Sequence, residues 1–245
     1  MTGIISALCT QPGQIITTGL QLRLEPQLSA SYPGSGTNCY DLSPNRYTTT
    51  LVNGVTYSTA RAPSFGFNGA TNNRYINTGQ YLSSETFTLS SWFKSSVTSS
   101  YQMLFSKETT TGYPWNYRMF LNLTDGFIVG DIGSSGPNSK SIVGSANLCN
   151  GVWHNAVFIR SVALDSLYIY VDGELVNSVI DTTTGAMSNN QNAYIGISAF
   201  TGGGVNPNGS YPMNGQIGQS LIYNIALTSQ QIKENFNSMR GVYGV

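Results

Sequence analysis

Cleaving a glycosidic bond takes two carboxylates about 5–9 Å apart. On a strand that means acidic residues at i, i+2 or i, i+4, which share a face. The 245-residue chain holds 11 Asp and Glu in all, and its one i, i+2 pair, Asp172/Glu174, straddles an Asp-Gly turn. Asp125 and Asp131 bracket a further segment, but a spacing of six sends them to its opposite ends. His154 is the only histidine. It cannot build a metal cluster, and a nucleophilic triad would need a serine and a carboxylate beside it. Between Trp153 and Asn155 it reads as a structural histidine whose ring is hydrogen-bonded. Cys9, Cys39 and Cys149 follow neither a disulfide framework nor a zinc spacing. They read as small buried or semi-buried thiols, with a Cys9–Cys39 bridge left open. Gly202-Gly203-Gly204 runs into Val205-Asn206-Pro207, which cannot open a phosphate-binding helix. The expectation is a non-catalytic protein with no cofactor and no metal.

Binding chemistry is better represented. Charged residues are 9% of the chain and the net charge is zero, so the sequence carries no basic stripe for nucleic acid. Recognition falls to hydroxyls, amides and aromatic faces, which suit sugars or another protein. Two stretches read as loops with that chemistry. Residues 109–118 carry Tyr113, Trp115, Asn116 and Tyr117, and residues 201–212 carry Asn206, Asn208 and Tyr211. Large rings on loops are costly unless they meet something. Two other uses remain open: Trp115 and Tyr211 folding back as lids on the core, or forming a subunit contact. Trp92, Trp153, Tyr168 and Tyr170 read as packing residues.

The elements that must hold these loops are short strands. Residues 19–24 alternate cleanly. In 85–93, Phe87, Leu89, Ser91 and Phe93 share one face, and Thr86, Thr88, Ser90 and Trp92 the other. Further strands are expected over 101–106, 117–123, 127–132, 153–160, 167–171, 175–180, 193–198 and 217–224. Asp172-Gly173 between two apolar runs predicts a hairpin, because both central residues of a type I′ turn need positive φ. Residues 31–38 are turn chemistry, and the Thr triplets at 48–50, 109–111 and 182–184 read as loop or edge sequence. One helix is expected over 229–237. Thr228 and Gln231 form its capping box, Leu227 and Ile232 its staple, and Arg240-Gly241 its stop. Residues 1–18 read as an N-terminal arm, and residues 19–245 as one all-β sandwich domain. No signal peptide or membrane-spanning stretch is expected, so no membrane insertion.

Particular residues add a resemblance. Trp153-His154-Asn155-Ala156-Val157, followed by Leu167-Tyr168-Ile169-Tyr170-Val171-Asp172-Gly173, resembles the core of laminin G-like domains in the concanavalin A-like lectin/glucanase superfamily. Gly215-Gln216-Ile217, Ile222 to Thr228 and Ile232 to Asn237 are similar to that family's closing strand and helix. The tail from Asn235 to Gly244, with Ser31-Tyr32-Pro33-Gly34-Ser35-Gly36 and Phe65-Gly66-Phe67-Asn68-Gly69, resembles versions found in bacteriophage structural proteins. The resemblance implies a concanavalin A-like jelly-roll sandwich of two antiparallel sheets with one short C-terminal helix. It further implies a non-catalytic virion protein, a capsid decoration, fibre or tail appendage subunit. Such a protein would sit on the phage particle surface, as a homo-oligomer among other virion proteins, and display a domain for host-surface glycans. A free carbohydrate-binding lectin is the alternative, and a glycoside hydrolase the weakest one. Many relatives place calcium-binding acids after the Gly-x-Ile of the closing strand. Gly218 and Gln219 stand there in this chain, which speaks against calcium.

Overall fold

The computed structural model describes residues 14–69, 73–109, 112–133, 138–183, 189–198 and 210–245, with 112–115 given by their backbone alone. The strands in chain order begin with β1 (Leu20–Leu24), β2 (Asn38–Tyr40), β3 (Thr48–Val52), β4 (Thr56–Ser58) and β5 (Ser64–Asn68). Next come β6 (Tyr75–Asn77), β7 (Phe87–Lys94), β8 (Gln102–Thr109), β9 (Gly112–Leu121), β10 (Ile128–Gly133) and β11 (Ser139–Val143). The last are β12 (Trp153–Ser161), β13 (Ser166–Val171), β14 (Glu174–Ile180), β15 (Tyr194–Ile195) and β16 (Asn214–Tyr223), followed by helix α1 (Ser229–Tyr243). They form two eight-stranded antiparallel sheets. The first runs β14-β13-β12-β7-β16-β5-β4, with β1 also paired to β16; the second runs β11-β10-β9-β8-β15-β6-β3-β2. This is the all-β jelly-roll sandwich that the sequence implies.

The main core lies between the sheets. Phe87, Leu89 and Phe93 of β7 meet Phe105 of β8 and Tyr117, Met119 and Leu121 of β9 within one buried cluster. Phe158 packs so closely on Gly130 that a side chain there would overlap its ring. The first sheet is covered on its outer face as well, which is why β7 is buried along both of its faces. Trp92 stacks on Tyr243 (4.3 Å between centroids) and on Phe236 (5.5 Å), under α1. The helix supplies Ile232, Phe236, Met239 and Tyr243 at i, i+4, i+7 and i+11, the spacing of one apolar stripe.

Residues 14–18 lie on the same outer face, where Ile15 is buried beside Leu20, Leu221 and Ile232. The Ile16 N–H donates to Asn235 Oδ1 (2.8 Å), and the Tyr223 hydroxyl donates to the Ile16 carbonyl (3.0 Å). The end of the expected arm is thus fastened to the sandwich, and residues 1–13 lie outside the described residues.

Local chemistry explains several boundaries. Asp172 (φ +52°) and Gly173 (φ +81°) make the expected hairpin turn between β13 and β14. The Thr228–Gln231 capping box is present. The helix runs past the expected end at 237 to Tyr243 and stops at Gly244 (φ +77°). Met239 and Tyr243 extend the buried stripe, while Gly241 faces open space and costs too little to end it. The segment 109–118, expected to be a loop, is mostly strand: β8 and β9 form a hairpin whose ladder reaches Thr109 and Gly112. Among the described residues, no helix is long and apolar enough to cross a membrane.

Candidate functional site

Side chains alternate along each strand, so the second sheet has an inner face in the core and an outer face away from it. On β9, Tyr117, Met119 and Leu121 point inward. Arg118 and Phe120 therefore point outward, and the residues opposite them share that face: Ser106 and Met103 on β8, Asp131 and Val129 on β10.

A cleft of about 210 Å³ opens there, lined by Tyr101, Met103, Arg118, Phe120 and Tyr211. Tyr101 meets Tyr211 edge-to-face (5.0 Å, 74°) and Phe120 likewise (5.9 Å, 72°). The Met103 N–H donates to the Tyr211 carbonyl (3.0 Å), which ties the Tyr211 backbone to the start of β8. Tyr211 is 41% exposed and adopts φ +53°. Positive φ is a genuine outlier for a bulky residue, and such outliers cluster at functional sites. Further along the same face Tyr75 and Tyr194 form another edge-to-face pair at 5.8 Å.

One wall is ionic. The Arg118 guanidinium lies 5.8 Å from the Phe120 ring centre. Its Nη2 donates to Asp131 Oδ2 (2.5 Å) and its Nη1 to Glu108 Oε1 (3.4 Å). Glu108 also accepts a hydrogen bond from the Ser198 hydroxyl (2.6 Å). Glu108 and Asp131 are both buried, and both already engage the same guanidinium. Asp131 Oδ1 is buried with no hydrogen-bond partner among the described residues.

Of the residues singled out from sequence, Tyr211 lines the cleft. Tyr117 does not: its side chain is fully buried between the sheets, 5.2 Å from Phe87 between ring centres, because strand alternation turns it inward. Asn116 is fully buried at a β-bulge between β8 and β9, and its amide has no partner among the described residues. Tyr113 and Trp115 lie on the backbone of β9, with Trp115 opposite Glu108; their side chains, like Asn206 and Asn208, lie outside the described residues. Tyr101, Arg118, Phe120, Glu108 and Asp131 escape the sequence reading as site residues. Arg118 and Phe120, two apart on one strand with core residues between them, carry the signal that could have found them.

The other chemical candidates are structural. His154 Nδ1 bonds Asp172 Oδ2 (2.8 Å), and Asp172 Oδ1 accepts the Asn155 N–H (2.8 Å), so this pair locks the β13–β14 turn onto β12. Glu174 is exposed and pairs with Lys233 of the helix, so Asp172 and Glu174 do not converge on a cleft as a catalytic pair. Lys107 is fully buried, and burial pushes its pKa down to about 8; its ammonium is an anchor that donates to Asn189 O, Asn189 Oδ1 and Gln191 O at 2.6–2.8 Å. Cys39 is a buried free thiol, pushed up to about 11 by burial, and Cys9 lies outside the described residues. At Gly218 any side chain would overlap the Tyr243 hydroxyl, so helix packing leaves no room for an acidic residue there. Among the described residues, no group of three or more His, Cys, Asp or Glu is placed to hold a metal ion.

A family model described as the concanavalin A-like lectin/glucanases superfamily matches residues 67–233. No curated protein sequence matches the chain. Among solved structures, the binding domain of botulinum neurotoxin DC in complex with SialylT aligns at TM-score 0.65 and 13% identity, covering 91% of this chain and 52% of that one. The binding domain of Paraclostridial Mosquitocidal Protein 1 aligns at TM-score 0.68 and 16% identity, covering 93% and 55%. The CBM40 of the Ruminococcus gnavus IT-sialidase aligns at TM-score 0.58 and 14% identity, covering 70% and 95%. The chain thus spans about half the length of the two toxin binding domains.

Proposed function

Since the chain belongs to the concanavalin A-like lectin/glucanase superfamily, we propose that it is a non-catalytic carbohydrate-binding module whose cleft on the second sheet takes a sugar ring. The observation that carries this reading is the cleft itself: Tyr101, Phe120 and Tyr211 converge on a space of about 210 Å³ beside Arg118. Aromatic walls with a few convergent polar groups are what a small-ligand site requires. The similarity to a binding domain solved with SialylT and to a CBM40 favours the same reading. Hydrolysis is disfavoured, because Glu108 and Asp131 are engaged by one guanidinium, whereas a glycosidase needs carboxylates available to pass a proton. A glycan array should give hits with the purified protein that disappear in Tyr211→Ala and Tyr101→Ala. Hits that survive both substitutions would remove the cleft from the proposal.

The setting we propose is a virion surface, where the module serves as a decoration, fibre or tail appendage subunit among other virion proteins and sister chains. The support is the sequence resemblance of the 235–244 tail and of the early Gly-rich segments to phage structural proteins. Immuno-electron microscopy of purified particles tests it, and absence of label from particles would leave the free lectin as the better reading.

A further inference from the structure

We infer that the cleft selects uncharged sugars and disfavours sialylated or other acidic ones. This rests on the carbohydrate-binding reading and adds the class of ligand. The charged side chains that β8, β9 and β10 turn to the outer face of the second sheet are Glu108, Arg118 and Asp131. Lys107 is the other cation on these strands, and it pairs with the inward Tyr117 across the ladder. On β11, Lys140 lies opposite the buried Ile132 and shares its inward face. Residues 110–115, 134–137 and 199–209 carry no Lys, Arg, Asp or Glu. Arg118 is the charged residue that lines the cleft, and two buried carboxylates stand behind it, a formal excess of one negative charge in the cluster.

An acidic sugar would need that guanidinium, because Arg captures carboxylates with its terminal nitrogens as a fork. Both terminal nitrogens of Arg118 already face a carboxylate, Asp131 at 2.5 Å and Glu108 at 3.4 Å. A sialate would have to displace one of them and meet the other as a like charge. Asp131 Oδ1 is a buried acceptor without a partner among the described residues, so its charge stays behind the guanidinium that lines the cleft. The rings of Tyr101, Phe120 and Tyr211 offer faces and edges to the C–H side of a neutral pyranose.

The test is an array of matched glycans, each core printed with and without a terminal sialic acid and probed at about 0.01 M and 1 M salt. The neutral member should bind about tenfold more strongly at low salt, since like-charge contact is repulsive. The gap should narrow at high salt, where the Debye length falls from about 30 to about 3 Å. Asp131→Asn, with its fold checked by thermal melting, should raise the sialylated signal relative to the neutral one. If that variant fails to fold, the wild-type ratio and its salt dependence still decide. Sialylated members that match or exceed their neutral partners at low salt would overturn the selectivity and leave carbohydrate binding standing. An array with no hits at all would overturn both.

Discussion

Tyr211 pays for its position. Its φ of +53° is strained for a bulky side chain, at a cost of about 1–3 kcal/mol. The residue is 41% exposed, so burial returns only part of that. A residue with this balance fits a role at the surface better than a role in the core. Glycine adopts positive φ without strain. Relief of that strain is offset in part by the about 0.5–1 kcal/mol of chain entropy that glycine adds to the unfolded state, so Tyr211→Gly should change stability by less than about 1 kcal/mol, read from urea unfolding. The same substitution should cut the glycan signal about tenfold, through loss of the ring. A stability loss above about 2 kcal/mol would show that the ring acts as a lid on the core, because only buried packing returns that much. Tyr117 is the opposite case among the aromatics first singled out. It is fully buried against Phe87, so its role is packing.

The C-terminal end of helix α1 is held where Tyr243 lies on Trp92 and Trp153 and its hydroxyl accepts the Gln219 N–H at 2.7 Å. Gly218 beside it leaves room for that hydroxyl alone. Gly218→Ala would push a stacked, buried ring and the end of the helix with it, so urea unfolding should register a loss of about 1–3 kcal/mol. A change below about 0.5 kcal/mol, within the range of an ordinary surface substitution, would mean that the helix end is not fixed there. The same elements mark what was legible in the sequence. The pairing of β12, β13 and β14, the Asp172-Gly173 turn and the Thr228 cap were readable because each has a local signature, such as alternation, positive φ or a capping side chain. The short strands β2, β3, β4, β6 and β11 were not, since three to five residues at or near a sheet edge give too little alternation. The cleft was half legible. Tyr211 lies in a Gly/Pro/Asn-rich stretch that signals a loop. Arg118 and Phe120 were hidden because β8 and the described part of β9 are largely buried on both faces, and sequence does not say which face looks outward. Which face it is depends on the partner sheet, a property of distant residues.

At the scale of the molecule, the two sheets have outer faces with different tasks. The first sheet spends its outer face on α1 and on residues 14–18, through the clusters around Ile15 and Trp92. The second sheet keeps the cleft on its own outer face. Residue 14 and the C-terminal end of α1 therefore lie on one side of the sandwich, and the aromatic cleft on the other. Attachment at residue 14 would leave the cleft pointing away from whatever holds it. Capture on a surface through an N-terminal biotin should then preserve full binding of a polymeric glycan. Val143 lies on the outer face of the second sheet, opposite Val129 on the neighbouring strand, and is 40% exposed. Capture through a thiol at that position (Val143→Cys in a Cys9→Ser background) should block most of the binding. Cys39 and Cys149 are buried, so they should not compete for the label while the protein is folded. Equal binding in the two orientations, measured by biolayer interferometry at matched loading, would mean that the ligand does not enter from the second sheet, and the division of labour between the faces would have to be abandoned.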